Sequence, residues 1–343
     1  MKAALLTKEK HIEIVDMEYP QCVDNEIIIK VFISGICGSD LSTYRGEHPY
    51  KKAPAILGHE AAGIVDQIGK LVTKFKVGDK VCCQSFSACE SCYYCQKNMY
   101  NLCDNKKILN YKDLNGAFAE YIIGDDKLFF NITDNMNYKE GALVEPLSVA
   151  LHAIRNTGEI SNKNIAILGT GTNGISCLIC SKKLGVNAVL CSDISDSKGQ
   201  RAIDFGCDYF VNVTKEDLQK KAKDFFPKGV DIVFISTSYP EVLNDAISIS
   251  KKGAKIIISA YLDPDVKLDY NQIVRNELTM KGSALSNPED LELIINWISE
   301  KKIKPLPMIT NQFDLKECDK ALKLFDKQSE GVGKIIINCI AND

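Results

Sequence analysis

The feature that most constrains the fold is a glycine-rich turn, residues 169–174, which follows the apolar run 165–168 and opens a helical pattern. From about residue 146 onward, short apolar strands alternate with helices. This alternation is typical of a parallel, doubly wound sheet, because each strand must be joined to the next by a crossover helix. The preceding half is rich in β-branched residues and irregular loops. The sequence therefore predicts an α/β protein with a β-rich part and a doubly wound part.

The expected elements follow the hydrophobic periodicity. In the doubly wound part, strands are predicted at 165–168, 188–192, 209–213, 231–236, 255–260 and 278–282, and helices at 146–156, 174–184, 197–205, 215–226 and 240–251. In the β-rich part, strands are predicted at 26–33, 61–68, 79–86 and 116–123. Helices at 288–302 and 315–328 precede a last strand at 333–338, which we expect to return to the first domain.

The glycine-rich turn has the spacing G-x-G-x-x-G, which is specific only between a strand and a helix, as here. Its first glycine permits a tight turn, the second lets the backbone approach a pyrophosphate, and the third allows close helix–strand packing. Asp193 ends the next strand, where a carboxylate binds the adenosine ribose and repels a 2′-phosphate, so NAD is favoured over NADP. The predicted cofactor site comprises Gly169, Gly171, Thr172, Asn173, Gly174, Asp193 and Lys198.

Length and composition limit the class of protein. With 343 residues, the chain is expected to form two domains. Its net charge of −3 gives no electrostatic reason to bind nucleic acid, and no apolar run approaches the roughly 18 residues of a membrane span. The charged N-terminus lacks the apolar core of a signal peptide, so we expect a cytoplasmic protein. In such a chain, 14 cysteines favour metal sites over disulfides.

Four cysteines crowd into one loop with the spacing C-x2-C-x2-C-x7-C: Cys89, Cys92, Cys95 and Cys103. Four thiolates suit a tetrahedral, structural zinc ion with no position open to substrate. The alternative is an iron–sulfur cluster, but its bacterial motif has a last gap of three residues followed by proline. Here that gap is seven residues and Asp104 follows, so zinc is the prediction.

A second set of metal-binding residue types is spread along the first half of the chain. Cys37 lies in a turn flanked by glycines, His59 stands beside Glu60, and Glu145 follows an apolar run. A carboxylate in an apolar setting pays a desolvation penalty unless it is paired or metal-bound. Cysteine, histidine and carboxylate are the ligands of a catalytic zinc with one open position. The alternative explanation of His59 and Glu60 is an ordinary polar pair.

These motifs together resemble the zinc-dependent medium-chain alcohol and polyol dehydrogenase family. Residues 58–72, Gly-His-Glu followed by glycines and a valine, fit the family's zinc signature at every fixed position. The segments 37–40, 116–121 and 145–149, the four-cysteine loop and the glycine-rich turn fit in the same order. The Glu-Pro-Leu-Ser-Val segment at 145–149 resembles the sorbitol, threonine and sugar-phosphate dehydrogenase branch, in which a glutamate replaces a cysteine ligand.

The resemblance implies the domain organisation. A GroES-like catalytic domain is expected at 1–148, with a structural zinc lobe at 86–104, and it is completed by 288–343. A Rossmann NAD-binding domain is expected at 149–287.

The resemblance also implies roles for single residues. Cys37, His59 and Glu145 would hold the catalytic zinc, and Glu60 would bind it directly, exchange with water or substrate, or stand beside the ligands. Ser39 would hydrogen-bond the reacting alcohol oxygen and take its proton, so Ser39, Glu60 and Glu145 are the predicted catalytic residues.

Asp40 would orient His59, and two positions depart from the family. Ser42 stands where many relatives carry a relay histidine, with His48 as a candidate substitute, and Leu285 stands near the arginine of sorbitol-type enzymes.

The implied function is a zinc-dependent NAD(H) oxidoreductase that interconverts a secondary alcohol, such as a polyol, sugar alcohol or diol, and its ketone. The alternatives are a threonine or polyol-phosphate dehydrogenase, a zinc-independent reductase, and a non-catalytic NAD-binding protein. We expect two zinc ions per subunit and NAD as cofactors. The expected partners are a small-molecule alcohol and further copies of the chain, as a homodimer or homotetramer, with neither nucleic acid nor a membrane.

Overall fold

Packing divides the chain into two units, Met1–Glu145 with Asn287–Asp343, and Pro146–Ser286. The computed structural model describes residues 1–112, 114–261 and 266–340. The last three residues of the segment predicted to complete the first domain, 341–343, therefore lie outside the described residues.

The strands of the first unit come from both ends of the chain. They are β1 (Lys2–Lys8), β2 (His11–Asp16), β3 (Glu26–Gly35), β4 (Ala55–Ile56), β5 (Glu60–Ile68), β6 (Lys80–Cys83), β7 (Phe86–Ser87), β8 (Lys107–Ile108), β9 (Tyr121–Asp125), β10 (Phe129–Asn131), β17 (Ile309–Asp314) and β18 (Lys334–Asn338). The strands of the second unit are β11 (Asn164–Leu168), β12 (Ala188–Asp193), β13 (Tyr209–Asn212), β14 (Val230–Ile235), β15 (Ser250–Ile258) and β16 (Thr279–Gly282).

The helices are α1 (Gly38–Tyr44), α2 (Tyr138–Ala142), α3 (Val144–Arg155), α4 (Thr172–Lys183), α5 (Asp196–Asp204), α6 (Leu218–Phe225), α7 (Val242–Ile249), α8 (Tyr270–Arg275), α9 (Pro288–Ser299) and α10 (Cys318–Asp326). The helices α4 to α8 lie in the second unit, and α1, α2, α9 and α10 lie in the first. No helix among the described residues has the length and apolar composition needed to cross a membrane.

The central sheet of the first unit follows the order β10-β6-β5-β3-β18-β17, with β9 also paired to β3. Most of its neighbouring strands pair antiparallel, whereas β17 and β18 pair in parallel. β18 pairs antiparallel with β3 through residues 33–35, so this late strand joins the sheet of the first unit. This pairing places the first residue of β18, Lys334, beside the start of β5.

The strands of the second unit pair in parallel and follow the order β13-β12-β11-β14-β15-β16. Its order reverses between β11 and β14, which is the crevice where doubly wound sheets bind dinucleotides. β11 and β12 are buried on both faces, which explains why they read as continuous apolar runs rather than alternating ones.

Two expectations of local structure need correction. The strand predicted at 116–123 begins only at Tyr121, because the backbone N–H groups of residues 116–118 donate to the carbonyls of residues 56–58 instead of extending a strand ladder. The segment after Cys37 was expected to be a turn, and it is the helix α1. Asp40, at the third helical position, accepts a hydrogen bond from the Cys37 N–H and completes a capping box, a signal that sequence reasoning could have used.

Candidate functional site

The helix α1 and the strand β5 present the two ends of the candidate metal site. Cys37 is the N-cap of α1. His59 and Glu60 come at the start of β5, directly after Gly58. Gly58 has a φ of +90°, and a Cβ there would lie 2.6 Å from the Phe118 ring, so only glycine fits this turn.

Cys37, His59 and Glu60 are brought together by this arrangement. One ligand atom from each lies within 4.8 Å of the others, and His59 and Glu60 are buried. A thiolate, an imidazole and a carboxylate are ligands that zinc accepts, so the donor chemistry of this cluster fits a zinc ion.

Asp40 lies behind His59 and is fully buried. Its Oδ1 is 3.5 Å from His59 Nδ1 and accepts a hydrogen bond of 3.0 Å from the Gly58 N–H. Burial would raise the pKa of Asp40, but the neighbouring His59 and the Cys37 N–H outweigh it and lower the pKa to about 2. Burial would lower the pKa of His59, and the Asp40 and Cys37 charges instead raise it well above its ordinary value. Asp40 therefore stands where the resemblance predicted a residue that orients His59.

Glu145 lies at the second position of α3 and is buried, with 5% of its surface exposed. It hydrogen-bonds Ser85 and is close enough to His59 and Glu60 to feel their charges. Burial raises the pKa of Glu145 to about 6; the Glu60 carboxylate adds to this rise, and His59 opposes it. The structure thus places Glu145 near the cluster, outside the group of three whose ligand atoms meet.

A buried lysine that was not among the predicted site residues pairs with Glu60. Lys334 and Glu60 form an ion pair in which both side chains are 1% exposed. Lys334 Nζ also donates to the Ile36 carbonyl at 3.0 Å. A buried lysine that begins a strand 274 residues after Glu60 gives no local pattern, and only the pairing of β18 with β3 brings the two together.

The predicted proton-handling residues lie in and after α1. Ser39 is half-buried, and its carbonyl accepts a hydrogen bond from Thr43. The Ser42 hydroxyl donates to the Gly38 carbonyl at 3.2 Å. His48 is buried, and its Nδ1 accepts hydrogen bonds from the backbone N–H groups of Tyr50 and Lys51.

Lys51 and Asn110 border the same cluster, and neither was among the selected site residues. The Lys51 ammonium donates to Asn110 Oδ1. Asn110 is buried, and its Nδ2 lies 3.0 Å from Asp40 Oδ1 and 3.3 Å from His59 Nδ1. Burial lowers the pKa of Lys51, and the negative charges of Asp40 and Cys37 oppose that change.

The four predicted structural cysteines meet in one cluster. Ligand atoms of Cys89, Cys92, Cys95 and Cys103 all lie within 4.8 Å of one another. Hydrogen bonds from Ser91 lower the pKa of Cys89 to about 5, whereas burial raises the pKa of Cys95 to about 12. Four sulfur donors with no other ligand type match a closed, tetrahedral zinc site.

The glycine-rich turn joins β11 to α4, as expected from the sequence. Gly169 has a φ of +94°, and Gly171 is the N-cap of α4. A Cβ at Gly174 would collide with the Gly169 carbonyl, so this glycine permits close helix–strand packing. Thr172 and Asn173 form the first turn of α4, whose free N–H groups suit a phosphate.

Asp193 is the last residue of β12 and contacts the glycine-rich turn. Its Oδ2 accepts hydrogen bonds from the N–H and hydroxyl of Thr170, at 2.8 and 3.1 Å. Lys198 Nζ lies 3.6 Å from Asp193 Oδ1. Leu285, which lies near the place where sorbitol-type enzymes carry an arginine, is half-buried with a φ of +58°.

Two domain families and several known proteins are similar to this chain. Residues 23–134 match the alcohol dehydrogenase GroES-like domain, and residues 174–300 match the zinc-binding dehydrogenase domain. The chain is 32% identical to the D-arabitol-phosphate dehydrogenase of Enterococcus avium, covering 92% of this chain and 90% of that protein. It is 30% identical to the sorbitol dehydrogenase of Bacillus subtilis, covering 94% and 93% of the two chains.

A solved structure shows the same architecture. An alcohol dehydrogenase from Escherichia coli CFT073, complexed with NADH, superposes with a TM-score of 0.92 at 25% identity over 98% of this chain and 99% of that one. The chain therefore belongs to the zinc-dependent medium-chain dehydrogenases, with a GroES-like domain and a Rossmann domain. Within that family it is an alcohol or polyol oxidoreductase, which confirms the predicted fold class and the predicted class of enzyme.

Proposed function

We propose that the protein oxidises a secondary alcohol of a polyol to a ketone with NAD⁺, using a catalytic zinc held by Cys37, His59 and Glu145. The observation that carries this proposal is the meeting of Cys37, His59 and Glu60 at ligand distance, with Glu145 buried nearby. These residues would hold a zinc ion that would supply Lewis-acid chemistry to the alcohol oxygen, and a bound nicotinamide would supply the hydride acceptor.

The chain's own residues hold and orient these groups. Asp40 fixes the His59 ring through Nδ1, which leaves Nε2 to the metal. Lys334 pairs with Glu60 and so balances its negative charge, since the three proposed ligands do not include Glu60. Ser39, two residues after the N-cap of α1, is the proposed acceptor of the alcohol proton.

We propose a second, structural zinc at Cys89, Cys92, Cys95 and Cys103. NAD is the proposed cofactor, bound at the turn of Gly169, Gly171 and Gly174, with Asp193 on the ribose and Lys198 beside it. We also propose a cytoplasmic homo-oligomer, as the resemblance to this dehydrogenase family implies.

The second candidate substrate is a polyol phosphate. The observation that favours it is the 32% identity to a D-arabitol-phosphate dehydrogenase, against 30% to a sorbitol dehydrogenase. Both substrate classes therefore enter the test.

The test is a substrate panel in which the formation of NADH is followed by absorbance. The panel pairs sorbitol and arabitol with their phosphates and adds 2,3-butanediol and threonine, each with NAD⁺ and with NADP⁺. We expect turnover of a polyol or a polyol phosphate, with NAD⁺ preferred because of the Asp193 carboxylate. Cys37→Ser serves as the inactive reference. Failure of every alcohol with the zinc-loaded protein would contradict the proposed reaction and favour a non-catalytic NAD-binding protein.

A further inference from the structure

A buried amide, Asn110, stands directly behind the candidate metal site. Its backbone has a φ of +57°, in the left-handed region that costs energy for a residue with a side chain and that asparagine tolerates better than most. Its side chain is 3% exposed. A strained backbone and a buried polar side chain at one position indicate that the amide itself is needed there.

The two ends of this amide face different partners. The Asn110 Nδ2 group donates to Asp40 Oδ1 at 3.0 Å and lies 3.3 Å from His59 Nδ1. The Oδ1 atom accepts from the Lys51 ammonium. An ammonium can only donate, so Lys51 selects the oxygen of the amide and thereby turns the nitrogen towards Asp40.

Lys51 is itself held in place from its backbone. His48 is buried, and its Nδ1 accepts the Lys51 N–H at 3.1 Å and the Tyr50 N–H at 3.3 Å. The ring therefore fixes the turn from which the lysine side chain starts, and the amide fixes the ammonium at its other end.

Asp40 receives donors on both of its oxygens through this arrangement. The Cys37 N–H donates to Oδ2 at 3.0 Å, while the Gly58 N–H and Asn110 Nδ2 donate to Oδ1. A carboxylate held in this way is fixed in orientation, and its Oδ1 faces Nδ1 of His59 at 3.5 Å. Nε2 then remains as the ring nitrogen available to a metal.

We propose that Lys51 and Asn110 are positioning residues for the metal ligand His59: Lys51 sets the orientation of the Asn110 amide, and the amide sets Asp40 and the His59 ring. This inference rests on the proposed zinc site. Groups that orient a ligating histidine typically change metal affinity by about 10- to 100-fold when they are removed.

The test measures the zinc affinity of the wild type and the variants by competition with a chromophoric chelator. The catalytic zinc is defined as the zinc that the Cys37→Ser variant loses. Lys51→Met keeps most of the side-chain length and removes the donor. We expect it to weaken zinc binding by about 10- to 100-fold and to lower kcat, while the KM for NAD⁺ is unchanged. Lys51→Arg, which can still donate to the amide oxygen, should retain most of the affinity.

Two further variants separate positioning from folding. Lys52→Met changes an exposed neighbour whose ammonium donates to the Gly46 carbonyl, and it should leave zinc affinity at the wild-type value. Asn110→Gly removes the amide at a backbone conformation that glycine adopts without strain, so the loop keeps its path while zinc affinity falls as in Lys51→Met.

Three results would overturn the inference, and they are distinguishable. Zinc affinities of Lys51→Met and Asn110→Gly within about twofold of wild type would show that the pair does not position His59, with the zinc site intact. An increase in KM for polyol phosphates alone, at unchanged zinc affinity, would make Lys51 a substrate contact. A wild-type protein with no zinc that depends on Cys37 would contradict the proposed function itself.

Discussion

Glu60 could act at this site as a metal ligand or as the ion-pair partner of Lys334. It lies within ligand distance of Cys37 and His59, yet its carboxylate is paired with the buried ammonium of Lys334. Gly35 packs against both side chains, because a Cβ there would collide with Glu60 and lie 2.9 Å from Lys334 Cε. The ion pair is therefore closely packed, and Lys334 is a partner for Glu60 other than a metal ion.

Replacing Lys334 tests how strongly that pairing supports the fold. Lys334→Met leaves the Glu60 carboxylate buried without its cation, which costs about 3–5 kcal/mol for a buried ion pair with one partner removed. Urea unfolding of the metal-free protein measures this loss. Adding Glu60→Gln to that variant should recover part of the stability, because it removes the unpaired charge.

The matched control is Lys316→Met, whose side chain is 76% exposed and only weakly paired with Asp314. It should change the free energy of unfolding by less than about 0.5 kcal/mol. A Lys334→Met variant as stable as this control would show that Glu60 is not held by Lys334.

At the scale of elements, the lobe of the four cysteines has little regular structure of its own. It contains β7 and short 3-10 turns at Cys95–Lys97 and Tyr100–Leu102, joined through Asn98 in the left-handed conformation, and β7 pairs with β8 just beyond it. Few of its side chains belong to the core. We therefore expect the metal to supply most of the stability of this lobe.

Cys92→Ser tests that expectation. The variant should lose one zinc per chain and should be cut within the lobe by a protease under conditions in which the wild type stays intact, because the loop no longer has four ligands. Metal analysis and limited proteolysis measure the two effects. Cys22→Ser is the control, since this thiol hydrogen-bonds the Glu26 carbonyl outside the cluster. A Cys92→Ser lobe with full zinc content and wild-type protease resistance would refute a structural zinc.

The elements also show where periodicity suffices and where it does not. The alternating strands and helices of the second unit were predicted to within a few residues in most cases, because each buried parallel strand is a short apolar run with a helix after it. α1 was missed, since its first residues include Gly38 and its signal is a cap rather than a period. The residues 116–118 were wrongly predicted as strand because their hydrogen bonds go to a distant segment.

At the scale of the whole molecule, motifs indicated which side chains gather into the candidate metal sites, but not which residues contact those side chains. The cysteines, His59 and Glu60 have recognisable spacing, and the structure brings the members of each candidate metal site together. Lys334, Asn110 and Lys51 reach the site through strand pairing and loop geometry that leave no local pattern. Such partners become visible only when the chain is folded.

The central claim is that one zinc serves catalysis at Cys37, His59 and Glu145 and that a second zinc serves structure. Metal content and turnover of Glu145→Ala, measured on the same preparation as the wild type, test it most directly. We predict two zinc ions per chain for the wild type and one for the variant, with turnover lost and NAD⁺ binding unchanged. A variant that retains two zinc ions and near-wild-type kcat would contradict the account.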